Sequence, residues 1–465
     1  MSKIQFGTDG WRAVIARDFT FDNLNRVTYA TGKWLFQFSE KPTVMLGYDC
    51  RFNGRLFAQA VANQLAQMGI RVFLTPGFSS TPMVSLATAQ RQTTAGIIIT
   101  ASHNPPEYSG YKVKGNYGGP ATPAMITEIE NLIPEAPQPV EDKFDELLTQ
   151  RKIEYYDAEA LYINHLRQSF DIDAIRNANI SIGYDAMYGA GQNAVRKLLP
   201  KATLLHCDYN PSFMGQAPEP IEKNLQPFET LIREQKLSVG LATDGDADRI
   251  GLYDENAQFV DSHHIILILI HYLHKYKKET GKVACSFSCT SKIQKICQDY
   301  GLPLEVTKIG FKHICEIMIQ EKVLVGGEES GGISVLGHVP ERDGIYIGLM
   351  IMEFMAKTGK KLTELIQELY EVIGSFSVQR QDLHLAETLK QAIMVCCREN
   401  SYPKFGDYHV TQVDTLDGYK FWLSDSTWVM IRPSGTEPVL RIYAEGATKQ
   451  QANDILEKTI ATILA

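Results

Sequence analysis

Three aspartates at alternate positions are the residues of this sequence best suited to hold a metal ion. Asp244, Asp246 and Asp248 follow the apolar run SVGLA in the segment TDGDADR (243–249). In an extended loop alternate side chains point to one side, so the three carboxylates converge and repel unless a cation neutralises them. A set of carboxylate oxygens favours a hard divalent ion such as Mg²⁺. An EF-hand loop is excluded because it requires glycine at its sixth position, and that position, counted from Asp244, is Arg249. The guanidinium of Arg249 instead suits a phosphate oxygen.

A serine in the segment GIIITASHNPP (96–106) is a candidate nucleophile. The apolar run predicts a buried strand, and the small and polar residues before two prolines predict a loop that displays Ser102. A serine hydroxyl is a weak nucleophile unless a base accepts its proton or it carries a phosphate, so His103, Lys112 and a metal ion are its candidate helpers. Taken alone, the segment favours a strand-end turn capped by Ser102 and Asn104.

Two further loops contain groups that suit a sugar and an anion. GGEESGG (326–332) sets Glu328 and Ser330 between glycine pairs that allow close backbone approach, and its acceptors suit paired sugar hydroxyls. RPSGTEP (432–438) combines a guanidinium, two hydroxyls and a glycine, which are the parts of a small phosphate cradle. Taken singly, an acidic structural turn and an ordinary type I or II turn remain open for these two segments. The segment GTDGWR (7–12) adds Arg12 with the same ambiguity.

A repeated order of elements is predicted to position these loops. Each of three stretches reads as an apolar strand, a loop, an amphipathic helix and a second apolar strand, which is the pattern of a parallel α/β unit. The stretches are VMLGYDCRFNGRLFAQAVANQLAQMGIRVFLTPG (44–77), ISIGYDAMYGAGQNAVRKLL with ATLLHCDYN (180–210), and VACSFSCTSKIQKICQDYGLPLEVTKIG (283–310). The part after LTELIQELYEVIG (362–374) reads as helices with short strands, including YHVTQVD and GYKFWLS, and predicts an antiparallel α+β domain.

The length and the punctuation of the chain predict four domains. The chain has 465 residues, and PEAPQPVEDKFDE (134–146), with three prolines and an acidic cluster, suits an exposed connector. We therefore expect an α/β domain with the serine loop at 1–150, one with the aspartate loop at 151–255, one with the acidic glycine-rich loop at 256–370, and an α+β domain at 371–465.

Charge and hydropathy exclude several classes of protein. The formal charge of 46 − 54 = −8 opposes a broad nucleic-acid footprint, so an anionic substrate needs a local cationic pocket. The apolar run IILILI (265–270) is too short to cross a bilayer and predicts a buried helix. The segment MSKIQFGTDGWRA lacks the apolar core of a signal peptide, so we expect a cytoplasmic protein. The eight cysteines form no CxxC pair and no zinc-type spacing, which predicts reduced, mostly buried thiols.

The four loops together resemble the signature loops of one enzyme family. TASHNP (100–105), DGDADR (244–249), GEESGG (327–332) and RPSGTEP (432–438) are similar, in this order, to those of the α-D-phosphohexomutases, which include phosphoglucomutases and phosphomannomutases. The resemblance spans the whole chain. It implies four domains around a central cleft, of which three are similar α/β units and the last is α+β.

The resemblance also implies a reaction and a set of residue roles. Hexose 1-phosphate and hexose 6-phosphate would interconvert through a phosphoserine enzyme and a hexose 1,6-bisphosphate, which serves as intermediate and activator. Ser102 would carry the phosphoryl group and, with three aspartates, bind Mg²⁺, while Lys112 would do acid–base work, with a pKa lowered by the nearby metal ion and other cations. The implied catalytic residues are Ser102, His103, Lys112, Arg12 and Arg249; the metal ligands are Ser102, Asp244, Asp246 and Asp248; the sugar would contact Gly327, Glu328 and Ser330; and the non-reacting phosphate would contact Arg432, Ser434, Gly435 and Thr436.

The substrate within the family is less sharply indicated than the reaction. Some dual-specificity members have histidine where this chain has Gly332, and some have histidine directly after the glycine that here precedes Phe311-Lys312-His313. The Glu-Glu-Ser centre resembles glucose-directed mutases more than the GEQSG form of phosphoglucosamine mutases. We expect glucose phosphate, with mannose phosphate as a second substrate, and a monomer or homodimer that binds neither nucleic acid nor membranes. The alternatives are a phosphoglucosamine mutase, a magnesium-dependent sugar-phosphate phosphatase and a non-catalytic sugar-phosphate binder.

Overall fold

The computed structural model of the chain describes residues 4–7, 9–433 and 439–465. The described chain forms two compact units. Unit 1 comprises Met1–Ser262 and Gly310–Leu365, and unit 2 comprises His263–Ile309 and Ile366–Ala465. Each unit is therefore built from two separate segments of the chain.

The α-helices α1 to α16 follow one another along the chain as Phe21–Leu35, Gly54–Gln67, Thr81–Gln90, Pro123–Asn131, Phe144–Thr149, Ala158–Ser169, Ile172–Asn177, Gln192–Leu198, Gln226–Gln235, Ser262–His271, Lys292–Tyr300, Phe311–Met318, Gly344–Thr358, Leu362–Ile373, Glu387–Arg398 and Lys449–Leu464. Short 3₁₀ segments lie at Phe213–Gly215 and Glu222–Asn224, and a π-helical segment at Tyr272–Tyr276 follows α10 directly.

The strands β1 to β22 are Trp11–Val14, Thr43–Tyr48, Arg71–Leu74, Ala95–Ile99, Tyr108–Gly115, Ile153–Tyr155, Ile182–Asp185, Thr203–Leu205, Val239–Thr243, Ile250–Tyr253, Phe259–Val260, Lys282–Ser286, Leu304–Thr307, Val323–Gly327, Ile333–Val335, Ser377–His384, Lys404–Phe405, Tyr408–His409, Gln412–Asp414, Tyr419–Ser424, Thr427–Pro433 and Val439–Gly446.

Unit 1 contains a six-stranded sheet in the order β1-β5-β4-β2-β3-β6. Strands β2, β3, β4 and β6 run parallel, whereas β5 is antiparallel to both of its neighbours. Helix α2 packs with one face inward because Phe57, Val61 and Leu65 recur every fourth residue and are all buried. In this sheet, the loop that contains Ser102 connects the end of β4 to the start of β5.

Two further strand groups complete unit 1. A five-stranded sheet has the order β11-β10-β9-β7-β8, in which β7, β8 and β9 are parallel and β10 is antiparallel to β9. The β9–β10 turn therefore presents residues 244–249 at one edge of that sheet. Strands β14 and β15 form an antiparallel pair, and the turn between them contains residues 328–332.

Unit 2 combines a parallel strand pair with an antiparallel sheet. Strands β12 and β13 pair in parallel on either side of α11. A five-stranded sheet follows in the order β16-β22-β21-β20-β19, with every neighbouring pair antiparallel, and β17 pairs with β18 as a separate hairpin. Helix α16 buries Ile455 and Ile463 in the core that this sheet forms.

The predicted fold class, α/β units followed by an α+β segment, is confirmed by these sheets. The apolar run 265–270 lies in α10 and is buried, as predicted. The segment YHVTQVD does not form one strand: β18 ends at His409 and pairs with β17, whereas β19 begins at Gln412 and pairs with β20. None of the helices in the described residues combines the length and the apolar character that a membrane span requires.

Candidate active site

Ser102 lies in the loop between β4 and β5 and is only 1% exposed. Its Oγ donates a hydrogen bond to Asp244 Oδ2 at 2.7 Å, and its φ of 51° is in the left-handed region that few non-glycine residues adopt. The sequence predicted that the loop displays this hydroxyl to solvent, and that prediction is wrong. The hydroxyl is covered because the loop packs against residues 244–248.

Two residues that sequence reasoning missed hold the serine loop in place. Arg51 is fully buried and donates to the backbone carbonyls of Ser102 and Asn104, both at 2.6 Å. Asp49 accepts from the Thr100 hydroxyl, and that hydroxyl accepts from the Ser102 N–H at 2.9 Å. The Asp-x-Arg pair directly after strand β2 is the only signal of this support in the sequence.

The three aspartates of the β9–β10 turn converge as predicted. Asp244, Asp246 and Asp248 are fully buried, and each offers a carboxylate oxygen within 4.8 Å of the other two. Within the described part of the chain, Oδ1 of Asp246 and Oδ1 of Asp248 are buried without a hydrogen-bond partner. Buried carboxylate oxygens without donors are costly, and a hard cation bound to them removes that cost. The residues therefore fit a divalent metal ion.

The electrostatics of the three carboxylates are unequal. Burial, with the charges of Asp246 and Asp248, raises the pKa of Asp244 well above its usual value. Burial acts in the same direction on Asp246, but Lys112, Thr81 and Arg342 together outweigh it and lower the pKa of Asp246. Asp246 also accepts a hydrogen bond from the hydroxyl of Thr81 at the start of α3. The neighbours of Asp246 thus favour its ionised form, and burial among carboxylates disfavours the ionised form of Asp244.

Lys112 lies on β5 and enters this cluster with its side chain fully buried. Its Nζ lies 2.7 Å from Asp246 Oδ2, 3.0 Å from Asp248 Oδ2 and 2.8 Å from Asp9 Oδ2. The sequence predicts that a metal ion and other cations beside this lysine lower its pKa. Although burial lowers it, the surrounding carboxylates raise the pKa of Lys112 above its usual value. The nearest charged atoms are anionic, whereas the prediction assumed neighbouring cations.

Arg342, two residues before the start of α13, was not predicted and is a second cation of the cluster. Its Nη2 lies 2.7 Å from Asp248 Oδ2 and also contacts Asp9. Its side chain crosses the face of Gly332, where an added Cβ would lie 2.4 Å from Arg342 Cδ. Gly332 is therefore required by the path of this arginine. The segment ERDGIY offers no periodicity or glycine pattern that marks Arg342 as part of the site.

The remaining predicted catalytic residues lie around Ser102. His103 Nδ1 is 3.5 Å from Ser102 Oγ, and burial together with the nearby arginines lowers the pKa of His103 well below its usual value. Arg12 donates to the Asn104 side-chain oxygen at 2.7 Å, and burial lowers the pKa of Arg12. The backbone N–H of Arg249 donates to Asp244 Oδ1 at 3.0 Å. Burial and the nearby cations thus favour the neutral imidazole of His103.

The acidic glycine-rich loop adjoins the aspartate turn. The Ile250 N–H donates to the Gly331 carbonyl at 3.1 Å, and Arg249 forms an isolated bridge with Gly332. Glu328 is buried and accepts from the Gly310 N–H at 2.8 Å. Burial, with the charge of Glu329, raises the pKa of Glu328 to about 7.

Gly327 closes β14, and Ser330 is partly exposed in the turn that follows. The structure thus brings the sugar-loop candidates next to the aspartate turn.

The predicted phosphate cradle is described only in part. Arg432 lies near the end of β21 in unit 2, where its Nε is 3.1 Å from Asp417 Oδ1. Asp417 Oδ2 also accepts from the Ile309 N–H at 2.8 Å, so this carboxylate orients both groups. Ser434, Gly435 and Thr436 lie outside the described residues.

Sequence profiles of four domains of one family match this chain in order. They are described as phosphoglucomutase/phosphomannomutase α/β/α domain I at residues 3–139, α/β/α domain II at 160–257, α/β/α domain III at 261–373 and C-terminal domain at 386–462.

Proteins similar to this chain over nearly its whole length are also known. A protein of Thermococcus kodakarensis described as a phosphoglucomutase/phosphomannomutase is 30% identical and aligns over 97% of this chain and 96% of the relative. A protein of Methanosphaera stadtmanae described as a "probable phosphoglucosamine mutase" is 30% identical with the same coverage. The crystal structure of a "putative phosphomannomutase" from Thermus thermophilus has a TM-score of 0.88, 31% identity and full coverage of both chains. This chain therefore belongs to the phosphoglucomutase/phosphomannomutase family, the α-D-phosphohexomutases, and is an intramolecular phosphotransferase.

Proposed function

We propose that this phosphohexomutase interconverts hexose 1-phosphate and hexose 6-phosphate, with glucose phosphate as its first substrate and mannose phosphate as a second. One observation carries the proposal: the Ser102 hydroxyl lies 2.7 Å from Asp244, inside a buried triad of carboxylates. Phosphoryl transfer depends mainly on positioning and on neutralising charge, and this arrangement supplies both to a phosphate on Ser102. The hydroxyl would carry the phosphoryl group between two positions of the sugar through a hexose 1,6-bisphosphate.

The metal in this proposal is Mg²⁺. Asp244, Asp246 and Asp248 would bind it, and a phosphate oxygen on Ser102 would complete the set of oxygen ligands. When bound, the ion would neutralise negative charge on the transferring group. Oδ1 of Asp246 and Oδ1 of Asp248, which have no donor among the described residues, support this assignment.

Each neighbouring side chain receives a role that fits its position. Arg12 and Arg249 would neutralise charge on the phosphate, because both are cations beside the serine loop and the aspartate turn. His103 would donate a hydrogen bond to a phosphoserine oxygen from the nitrogen 3.5 Å from Ser102 Oγ. Lys112 would act as general acid toward the sugar oxygen that leaves phosphorus, and would regain the proton from the attacking hydroxyl in the reverse transfer.

The remaining predicted residues would bind the two ends of the substrate. Gly327, Glu328 and Ser330 would hold the sugar, with the Glu328 carboxylate accepting from ring hydroxyls. The non-reacting phosphate would contact the loop at Arg432, Ser434, Gly435 and Thr436. Because the bisphosphate must present either phosphate to Ser102, both loops have to accept the ligand in two opposite orientations.

The substrate has a second candidate. The Methanosphaera relative is described as a phosphoglucosamine mutase, which favours an amino sugar, whereas the Glu-Glu-Ser centre of the sugar loop favours glucose. A panel of glucose, mannose and glucosamine 1-phosphates, with Mg²⁺ and a trace of the matching bisphosphate, separates the two. The highest kcat/KM should be for glucose 1-phosphate, and free phosphate released faster than 6-phosphate product would instead indicate a phosphatase.

The proposal also covers the cellular location, the oligomeric state and the domain boundaries of the enzyme. We place the enzyme in the cytoplasm as a monomer or homodimer that acts on free sugar phosphates, with domains at 1–150, 151–255, 256–370 and 371–465. Limited proteolysis near residue 150 tests the first boundary, and light scattering tests the oligomeric state.

The Ser102→Ala variant tests the central assignment. We expect mutase turnover to fall by at least about a thousandfold, because the variant has no hydroxyl to carry phosphate. Intact-mass spectrometry should show a phosphorylated fraction in the native protein and none in the variant. The matched control is Ser109→Ala, which removes a buried hydroxyl that has no hydrogen-bond partner within the described residues. Turnover near normal in Ser102→Ala would refute the carrier role.

A further inference from the structure

Unit 2 contains a cavity of about 330 Å³ that the proposed reaction does not use. Its walls come from the β12–α11 loop, from β13 and from the strands β19 and β20. Phe287, Trp422, Leu416 and Val306 make much of the wall apolar, and Lys420 also lines it. The cavity is therefore large enough for a small organic molecule and has a single lysine in its wall.

The Lys420 side chain is held in an unusual environment. The residue is 5% exposed, and its Nζ lies 4.2 Å from the ring centroid of Trp428 and 4.6 Å from that of Phe287. The Trp422 ring, also a wall of the cavity, is 5.9 Å away. The amine thus lies at the cavity surface among three aromatic rings, which attract it as a cation but offer no strong hydrogen-bond acceptor.

The nearest carboxylates are occupied by other donors. Glu445 accepts from the Thr290 hydroxyl and from the Ser291 N–H, which lies 2.9 Å away. Asp414, opposite Lys420 in the β19–β20 register, accepts from Trp422 Nε1 at 2.7 Å. Within the described residues, no hydrogen bond or salt bridge within 4.0 Å joins either carboxylate to Lys420.

Burial makes the charged amine less favourable here than at the protein surface, although the three rings oppose this in part, and the neutral amine is the nucleophilic form. Burial lowers the pKa of Lys420 below its usual value, and Glu445 opposes this only in part. Lysines desolvated in apolar pockets become nucleophiles toward carbonyl carbon. The two carboxylates disfavour an anionic ligand here, and the apolar wall suits an uncharged body.

From the cavity and its lysine we propose that Lys420 is a covalent binding site for small uncharged aldehydes, which it captures as an imine. The Nζ lone pair attacks the carbonyl carbon, and the oxygen takes up a proton to give a carbinolamine. Loss of the hydroxyl as water and of one N–H proton then leaves the C=N bond, so no oxidant or reductant is needed.

The experiment uses benzaldehyde with the intact protein and cyanoborohydride, which reduces any imine to a stable benzylamine. Peptide mapping over time then gives a separate modification rate for each lysine between about pH 6 and about pH 10. Each unit by which a pKa lies lower gives about tenfold more neutral amine below both values. We expect Lys420 to react at least about twofold faster than the exposed Lys404 at neutral pH, and its rate to reach a plateau at a lower pH than the rate of Lys404 does.

Two variants serve as controls. Lys420→Arg should lose the fast addition in intact-mass spectra because a guanidinium forms no imine, whereas Lys404→Arg should keep it. Circular dichroism checks that each variant is folded. If Lys420→Arg does not fold, the comparison of the Lys420 and Lys404 rates in the native protein still tests the proposal. A Lys420 rate equal to or below that of Lys404, or a fast addition that persists in folded Lys420→Arg, would overturn the proposal.

Discussion

The substitution Lys112→Met tests how the three aspartates are kept together without a metal. The lysine is fully buried and forms ion pairs of 2.7, 3.0 and 2.8 Å with Asp246, Asp248 and Asp9. Methionine keeps much of the volume but leaves those carboxylates with less compensating charge. Removing one partner of a buried ion pair costs about 3–5 kcal/mol. We expect a loss of this size in the free energy of unfolding when it is measured by urea titration in a chelator.

Magnesium should reverse part of this loss. In the native protein Nζ competes with a metal for Asp246 and Asp248, and in Lys112→Met it does not. At about 100 times its dissociation constant, a ligand that binds only the folded state adds about 2.7 kcal/mol. We therefore expect tighter Mg²⁺ binding by Lys112→Met, and a larger shift of its urea midpoint on addition of Mg²⁺.

The control for this experiment is Lys295→Met, which breaks a surface pair of 3.0 Å with Asp299 in which both side chains are substantially exposed. Such pairs contribute about 0.3–0.5 kcal/mol, so this variant should unfold almost as the native protein does. If Lys112→Met were as stable as Lys295→Met in the chelator, or gained no more from Mg²⁺ than the native protein, the charge-balance argument would be wrong.

Three shorter predictions concern the same site. Asp246→Asn should weaken Mg²⁺ binding in calorimetric titration through lost ligand charge, and unchanged affinity would contradict the metal assignment. Because the pKa of Glu328 is raised to about 7, KM should fall from about pH 6 to about pH 8 as this acceptor ionises. The Glu328→Gln variant should abolish that trend. The same raised pKa means that the contribution of this carboxyl to stability is lost as pH rises from about 4.5 to about 7. Gly245→Ala would place a Cβ 2.6 Å from the Ser102 carbonyl, so it should lower turnover about 10- to 100-fold, whereas Gly77→Ala, with open space around its Cα, should leave turnover unchanged.

The sequence predicted the elements and loops of the site because their signals are local. The apolar runs before Ser102 and Asp244 form β4 and β9, and the small or acidic residues after them form the turns. The prediction that Ser102 and Asp244 lie close together in space had a different basis. Ser102 and Asp244 are 142 positions apart, and the resemblance to a known family, not spacing along the chain, brought them together.

The supporting cations could not be predicted in the same way. Arg51 follows a strand and Arg342 precedes a helix, and neither belongs to a recognisable motif. Their contacts join segments far apart in the chain. Their roles depend on which backbone carbonyl or carboxylate packs opposite, and a single sequence does not record that. The direction of the Lys112 pKa has the same origin, because it follows from three carboxylate neighbours, and the segment GTDGWR contains no pattern that marks Asp9 as one of them.

The burial of Ser102 and the charge of its surroundings are linked. A phosphate on this hydroxyl would add negative charge next to three buried aspartates in a chain whose formal charge is already −8. The protein offsets this locally, because Lys112 and Arg342 pair with the aspartates, and Arg12 lies beside the serine loop. Desolvated charges interact more strongly than exposed ones, so this placement gives the serine loop a cationic setting that the overall composition does not show. The buried position of the hydroxyl, which contradicts the prediction of an exposed carrier, is therefore what the proposed transfer requires, since it keeps water from the phosphate while the cations hold it.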